Sequence, residues 1–258
     1  MIDLTQIKKV HFIGIGGIGI SAIEALGLVS AQKYTIAVSG THGNTTTTAK
    51  LAKIFIDAGL DPTVVVGSLL VDQQSNFIAG NGKYFIAEAC EYKRSFLNLN
   101  PQALIITNID NDHLDYYKDL VDIQSAFAEL AAKIPADGYL ICDKNDPALA
   151  PVLIAAKCQV LDYRHPMSIK LKQPGEHNQK DAAAALVLAQ ALGVPEDKSL
   201  ASLANFAGTW RRFEYKGEMN GVKIYDDYAH HPTEIKATLA GAREMAGKDK
   251  KITVVFQP

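Results

Sequence analysis

Cysteine is scarce in this 258-residue chain: Cys90, Cys142 and Cys158 are odd in number and show no C-x-x-C spacing. That pattern argues against a disulfide framework or a zinc ribbon and leaves buried, reduced thiols as the expectation. Long apolar runs are missing too. None reaches the roughly 20 residues a membrane helix needs, and the opening MIDLTQIKKVHF has neither the apolar stretch nor the cleavage site of a signal peptide. Charge of one sign is not in surplus, with 26 basic against 28 acidic side chains and a net charge of −2. No broad basic field is offered to nucleic acid or anionic lipid. A cytoplasmic protein engaging neither is expected, and composition says nothing about its oligomeric state.

What is present is alternation. The run KVHFI (9–13) leads into a glycine turn and then SAIEALGLV, whose apolar residues recur at helical spacing. The pattern repeats with YTIAVS (34–39), the turn GTHG and a Thr-rich helix start running through AKLAKIFIDAG, which Gly59 can end. Further apolar segments follow at 63–67, 84–89, 103–109 and 138–142, with helical stretches such as DIQSAFAELAAKI between some of them. Strands alternating with amphipathic helices predict an α/β fold, a doubly wound, mainly parallel sheet covered on both faces. The Ala-rich stretch 180–193 reads as a buried helix ended by Gly193 and Pro195. FAGTWRRFEYKGEMNG then reads as a boundary, after which VKIYDD, a helix from about Pro232 to Met245 and a strand in KITVVFQP begin a second, Rossmann-like α/β unit.

Two glycine clusters carry chemistry. Gly14, Gly16, Gly17 and Gly19 satisfy G-x-G-x-x-G between a strand and a helix, where backbone amides and a helix N-terminus can approach a phosphate. A dinucleotide reading also expects an acid at the end of the next strand, but YTIAVS runs into Gly40, which disfavours an oxidoreductase. The second cluster is Gly40-Thr41-His42-Gly43-Asn44-Thr45-Thr46. Its amides can wrap phosphates and a hydroxyl can meet Mg²⁺, although Asn44 stands where a phosphate loop has Lys. Glu88-Ala-Cys90-Glu91 and Asn108-Ile-Asp110-Asn111-Asp112-His113 end two further strands, and in a parallel sheet they lie beside that turn. Carboxylate and imidazole there either hold a divalent ion next to a triphosphate or act as ordinary helix caps.

In order along the chain, GIGGIGIS, AVSGTHGNTTTTAKLA, EACEYKRSFLNL, ITNIDNDHLDYY, PGEHNQKDAAAA, WRRFE and DDYAHHPTEI resemble the motifs of the Mur ligases. The resemblance implies an ATP-dependent amide-forming ligase of peptidoglycan precursor synthesis, working through an acyl phosphate. SGTHG with DDYAHHPTEI is most similar to the branch that joins L-alanine to UDP-N-acetylmuramate, with murein peptide ligases as its nearest competitor. It implies residues 1–32 as a remnant of a UDP-sugar domain, 33–207 as the ATP-binding domain and 208–258 as an incomplete C-terminal ligase domain. ATP would meet the 40–46 loop, Asn178, Arg212 and Asp227. Thr45 would ligate Mg²⁺, Glu88 would bridge it to a second ion and His113 would ligate that second ion, with Glu88, His113 and Asn44 at the chemistry. Gly14 to Gly19 would face the UDP diphosphate, and His230 and His231 would face the amino acid unless they simply start a helix.

The departures from that pattern bear on activity. Asn44 removes a positive charge from beside the β- and γ-phosphates, Asp181 replaces the second Asn of an HNxxN pattern, and Ile20 replaces a Met. About 20 residues separate Gly14 from Tyr34, whereas each βαβ unit of a UDP-sugar domain takes roughly 30. An impaired ligase, or a nucleotide-binding relative without ligase activity, is therefore expected.

Overall fold

A computed structural model describes residues 26–164 and 168–256. The expected strand at 9–13 and the turn containing Gly14, Gly16, Gly17 and Gly19 lie outside the described residues. Strand β1 (Tyr34–Ser39) runs through a glycine turn into helix α1 (Asn44–Asp57), followed by β2 (Thr63–Leu70), β3 (Ser75–Ile78), β4 (Tyr84–Glu88) and β5 (Ala103–Ile106). Helix α2 (Leu120–Ala132), β6 (Tyr139–Cys142), the short α3 (Ala150–Ala155) and β7 (Gln159–Asp162) complete the sheet. Helices α4 (Glu176–Ala191) and α5 (Glu196–Asn205) come next, then β8 (Glu214–Met219), β9 (Val222–Asp226) and α6 (Pro232–Ala246).

The seven strands stand in the order β3-β2-β4-β1-β5-β6-β7, all parallel except the edge strand β3. Period-two alternation divides their apolar residues between two cores. Ile36, Val38, Val64, Ile86, Ile105 and Ile141 meet α1, α4 and α5, while Ala37, Phe85, Leu104, Ile106 and Leu140 meet α2 and α3. Helices on both faces make the sheet doubly wound. Helix α1 ends as expected: Gly59 takes φ +75°, and the Leu60 amide donates to the Phe55 carbonyl at 3.0 Å, a Schellman closure that a Cβ at Gly59 would strain. Gly193 (φ +87°) ends α4 the same way, with Val194 donating to Ala189.

Several expectations need correcting. The stretch taken as a boundary contains β8, paired antiparallel with β9. Asn220 (φ +52°) and Gly221 (φ +78°) make the two-residue turn between them, the conformation that Asn-Gly favours in hairpins. The second unit thus opens with a hairpin rather than a parallel Rossmann strand. Residues 251–256 form no strand, because no neighbouring strand among the described residues supplies hydrogen bonds, and Val255 is 96% exposed. The three cysteines are free, but only Cys142 is fully buried; Cys90 and Cys158 are half-buried. No helix among the described residues is long and apolar enough to cross a membrane.

The hairpin is not adrift. The Trp210 amide donates to the Leu69 carbonyl at 3.0 Å and the Ser68 hydroxyl to the Trp210 carbonyl at 2.9 Å, tying the chain just before β8 to the tail of β2. Helix α6 touches the start of α4 at Gly241, where a Cβ would stand 3.2 Å from the Pro174 carbonyl, and Glu244 accepts from the Gly175 amide at 3.1 Å. On the opposite face of the sheet, fully buried Phe127 meets Phe96 edge-on at 5.2 Å. Phe127→Ala should destabilise the fold by about 3–5 kcal/mol, read as a lower urea midpoint at unchanged slope.

Candidate nucleotide site

The carboxyl ends of β4, β1 and β5 lie side by side, and each delivers polar groups to the same edge. From β1 comes the turn 40–46. Gly40 takes φ +135° and a Cβ there would stand 2.0 Å from the Thr107 hydroxyl; Gly43 takes φ +84° and a Cβ would stand 2.5 Å from Asp181 Oδ1. Only glycine fits at either place. The turn is held from β5: the Asn108 side chain accepts from the His42 amide at 3.0 Å and donates to the His42 carbonyl at 2.8 Å. Beyond it, the first amides of α1 lack intrahelical partners and present a partial positive charge. One of them is already engaged, because Asn44 Oδ1 accepts from the Thr45 amide at 2.8 Å.

From β4 comes Glu88. Its carboxylate accepts the Thr45 hydroxyl at 2.7 Å and the Gly67 amide at 2.5 Å. Burial pushes its pKa up, against the opposing pull of those donors and of Arg212. Thr45 and Glu88 are hard oxygen donors in contact, a pairing that fits Mg²⁺. His113 follows β5 in the chain. Its ring nitrogen is 3.9 Å from Glu91 and its ring centroid 4.9 Å from that of Tyr92, whereas Thr45 and Glu88 are in direct contact.

A cavity of about 480 Å³ opens beside the turn, and Asn178, Arg212, Asp227 and Glu234 line it together with His42, Gly43 and Thr46. Two of the expected nucleotide contacts are occupied. The Asn178 side chain donates to the Pro174 carbonyl at 2.9 Å and accepts from Lys50 at 3.0 Å. Asp227 accepts from the Phe213 amide at 2.7 Å, the Ala229 amide at 2.9 Å and the Thr238 hydroxyl at 3.2 Å, so it braces the β9–α6 connection. Arg212 faces the cavity and its charge is felt by Glu88, Asp181 and Glu234. His231 caps α6, accepting from the Thr233 amide at 3.3 Å, which is the helix-start alternative; His230 is exposed and contacts the Tyr228 carbonyl at 3.1 Å.

Two features were not anticipated. Lys50 is fully buried and donates to the Asn178 carbonyl at 2.8 Å, with Asp181 nearby; burial pushes Asp181 up and Lys50 down, and their mutual attraction opposes both. Its place on the Thr47, Leu51, Ile54 stripe of α1 was a usable signal, since that face is the buried one. Glu234 of α6 meets His42 Nδ1 at 3.2 Å while Asp110 meets His42 Nε2 at 3.2 Å, and the Thr233 hydroxyl reaches Asp110 at 3.1 Å. The phosphate-type turn is thereby linked to the last helix by one imidazole, with the His231 ring 4.7 Å away.

Burial by itself would lower the His42 pKa, but its bonds to Glu234 and Asp110 outweigh that and raise it above 6.5. Burial likewise opposes ionisation of Glu234, yet His42 and Arg212 hold it at about 2. A raised imidazole stabilises fully below its unfolded value of 6.5 and loses that contribution as pH rises through the folded one. A depressed carboxyl contributes fully above 4.5 and loses it as pH falls towards about 2. The link should therefore be strongest between pH 4.5 and 6.5. Hydrogen-exchange protection of the first turn of α6, corrected for intrinsic rate, should fall as pH rises beyond that window, and His42→Gln should abolish the pH dependence.

Comparison with known proteins places this geometry. Residues 38–166 match the Mur ligase middle domain and residues 211–258 the Mur ligase, glutamate ligase domain. The chain is 43% identical to the UDP-N-acetylmuramate–L-alanine ligase of Clostridium kluyveri over 91% of its own length and 57% of that protein's. It thus spans little more than half the length of this curated relative. Its fold is similar to that of the UDP-N-acetylmuramate–alanine ligase of Thermotoga maritima (TM-score 0.75, 26% identity, 88% of this chain and 57% of that one). A murein peptide ligase from Psychrobacter arcticus gives a TM-score of 0.71 at 26% identity, over 87% of this chain and 57% of the other. With two domain matches in the expected order and this sheet beneath them, the chain belongs to the Mur ligase family.

Proposed function

We propose that this chain contributes the ATP-binding and closing elements of a ligase that joins L-alanine to UDP-N-acetylmuramate. The observation that carries the reading is convergence: His42, Gly43 and Thr46 of the turn and Arg212 and Glu234 from the C-terminal unit line one cavity beside the carboxyl ends of β1 and β5, and Thr45 of the same turn bonds Glu88 at the end of β4. On this reading residues 33–207 are the ATP-binding domain, 208–258 belong to the C-terminal ligase domain, and 1–32, with Gly14 to Gly19, belong to the UDP-sugar side.

In the proposed reaction the substrate carboxylate attacks the γ-phosphorus of ATP, forming an acyl phosphate and releasing ADP. The alanine amine then attacks the acyl carbon, expelling inorganic phosphate and losing a proton. Gly40 and Gly43 let the backbone close on phosphate oxygens, and the amides at the start of α1 donate to them. Arg212 offsets charge on the transferring group. Thr45 and Glu88 would hold Mg²⁺, which neutralises the triphosphate when bound. Electrostatic stabilisation is the main demand of phosphoryl transfer, and here the turn supplies it without a lysine.

That deficit supports an impaired enzyme. Asn44 engages the Thr45 amide, so phosphate has to compete with a neutral side chain where the family offers a cation. Calorimetric titration with Mg²⁺-ATP should give weak binding. Asn44→Lys should tighten it by about 1.5–3 kcal/mol, roughly tenfold to 150-fold, and Glu88→Gln should remove its Mg²⁺ dependence. An alanine-dependent phosphate-release assay separates ligase from nucleotide-binding relative: rapid release by the unaltered chain would refute the impairment.

A further inference from the structure

Two groups of metal-ligating side chains occur among the described residues: His42 with Asp110 and His231, and Cys90 with Glu91 and His113. In the first, His42 is bonded to carboxylates on both ring nitrogens and His231 caps a helix. In the second, the Cys90 sulfur is met by the Tyr92 amide. The Glu91 side chain is only 5% exposed; its carboxylate accepts from its own amide, and His113 stands 3.9 Å away, beyond hydrogen-bond reach. The neighbouring charges are Asp112 and Glu88, both of the same sign, with His42 the one favourable group. A buried carboxylate beside two like charges is stabilised by a cation placed next to it.

We propose that Cys90, Glu91 and His113 form a binding site for one divalent transition metal of borderline softness, of the Zn²⁺ and Co²⁺ class, distinct from the Thr45–Glu88 pair. One sulfur, one carboxylate oxygen and one ring nitrogen lie within 4.8 Å of one another. Bonds of about 2.0–2.3 Å in a tetrahedral site put donor atoms roughly 3.3–3.8 Å apart, so side-chain rotations closing about 1 Å complete the set. The donor chemistry selects the ion. Thiolate and imidazole favour Zn²⁺ and its relatives, whereas Mg²⁺ prefers an all-oxygen octahedron. Three protein ligands leave a fourth position for water.

The backbone keeps the two segments in register. Tyr117, 1% exposed, donates its hydroxyl to the Glu91 carbonyl at 2.5 Å and its amide to the His113 carbonyl at 3.0 Å, so one residue fixes both ligand-bearing turns. The Cys90 carbonyl accepts from the Ser95 hydroxyl at 2.9 Å and the Phe96 amide at 3.2 Å. His113 is held at φ +53° with its amide on Asp112 Oδ1 at 2.7 Å. The sequence hides this site because its cysteine and histidine come from the ends of different strands rather than from a paired-cysteine spacing.

The test is titration of the reduced full chain with Co²⁺ in the presence of excess Mg²⁺, followed by absorption. One equivalent should produce a near-ultraviolet thiolate-to-metal band, and Zn²⁺ should bleach it. Cys90→Ser should remove that band, and His113→Ala should weaken Co²⁺ binding by more than about tenfold. The double variant Cys142→Ser/Cys158→Ser, which leaves Cys90 as the only thiol, should retain the band and guards against a folding failure of Cys90→Ser. Absence of the band in the unaltered chain, its survival in Cys90→Ser, its loss in the double variant, or its suppression by Mg²⁺ would each overturn the proposal.

Discussion

Strand β1 has no face open to water. Ile36, Ala37 and Val38 are completely buried, with β4 and β5 bonded to its two edges and helices against both surfaces. Polar chemistry can reach such a strand only where it stops, and the chain must turn sharply there to begin α1. Gly40 and Gly43 are the consequence, because Thr107 and Asp181 leave no room for a Cβ. The same burial brings the ends of β4 and β5 alongside, so Glu88 and Asn108 arrive at the turn with their strands. The site follows from packing the middle of the sheet, since the three strand ends that build it are consecutive neighbours.

Charge around that turn is arranged differently from what a phosphate loop with lysine would give. Asn44 is neutral, and Asp181 adds a carboxylate directly behind Gly43. The cations nearby serve other groups or come from elsewhere: Lys50 is tied to Asn178, and Arg212 is delivered by the segment anchored on β2 through Trp210. Positive potential in the cavity therefore depends on the C-terminal unit staying docked. One of its anchors is His42, a residue of the turn itself, by way of Glu234.

The sequence exposes the parts of this architecture that rest on local chemistry. SGTHG is readable because glycine and threonine are the residue types that a strand-to-helix phosphate turn demands, and Glu88 because an acid ending an apolar run in a parallel sheet lies near that turn. Gly59 and Gly193 are readable for their left-handed backbone. Partnerships between distant segments are not. That Glu234 and Asp110 share His42, or that Tyr117 clamps Glu91 to His113, depends on which strand ends become neighbours. The hairpin β8–β9 is a different case: Asn220-Gly221 announced it, but the charged, glycine-containing flanks read as a linker because both strands are largely exposed and lack clean alternation.

His113 shows how much a strand-end position leaves open. Chain order sets it beside the nucleotide turn, yet its left-handed backbone and the hold of Tyr117 on its carbonyl point the ring towards Glu91 and Tyr92. For His113 to ligate a second ion bridged by Glu88, the backbone clamp leaves side-chain rotation free. Rotation towards Glu88 and attachment to Cys90 and Glu91 are alternatives for a single imidazole. An ion held by the thiol therefore withdraws a ligand from the nucleotide side. On the two proposed readings, neighbouring metal sites would compete for one histidine, a group whose position is set by the same strand ends that build the nucleotide cavity.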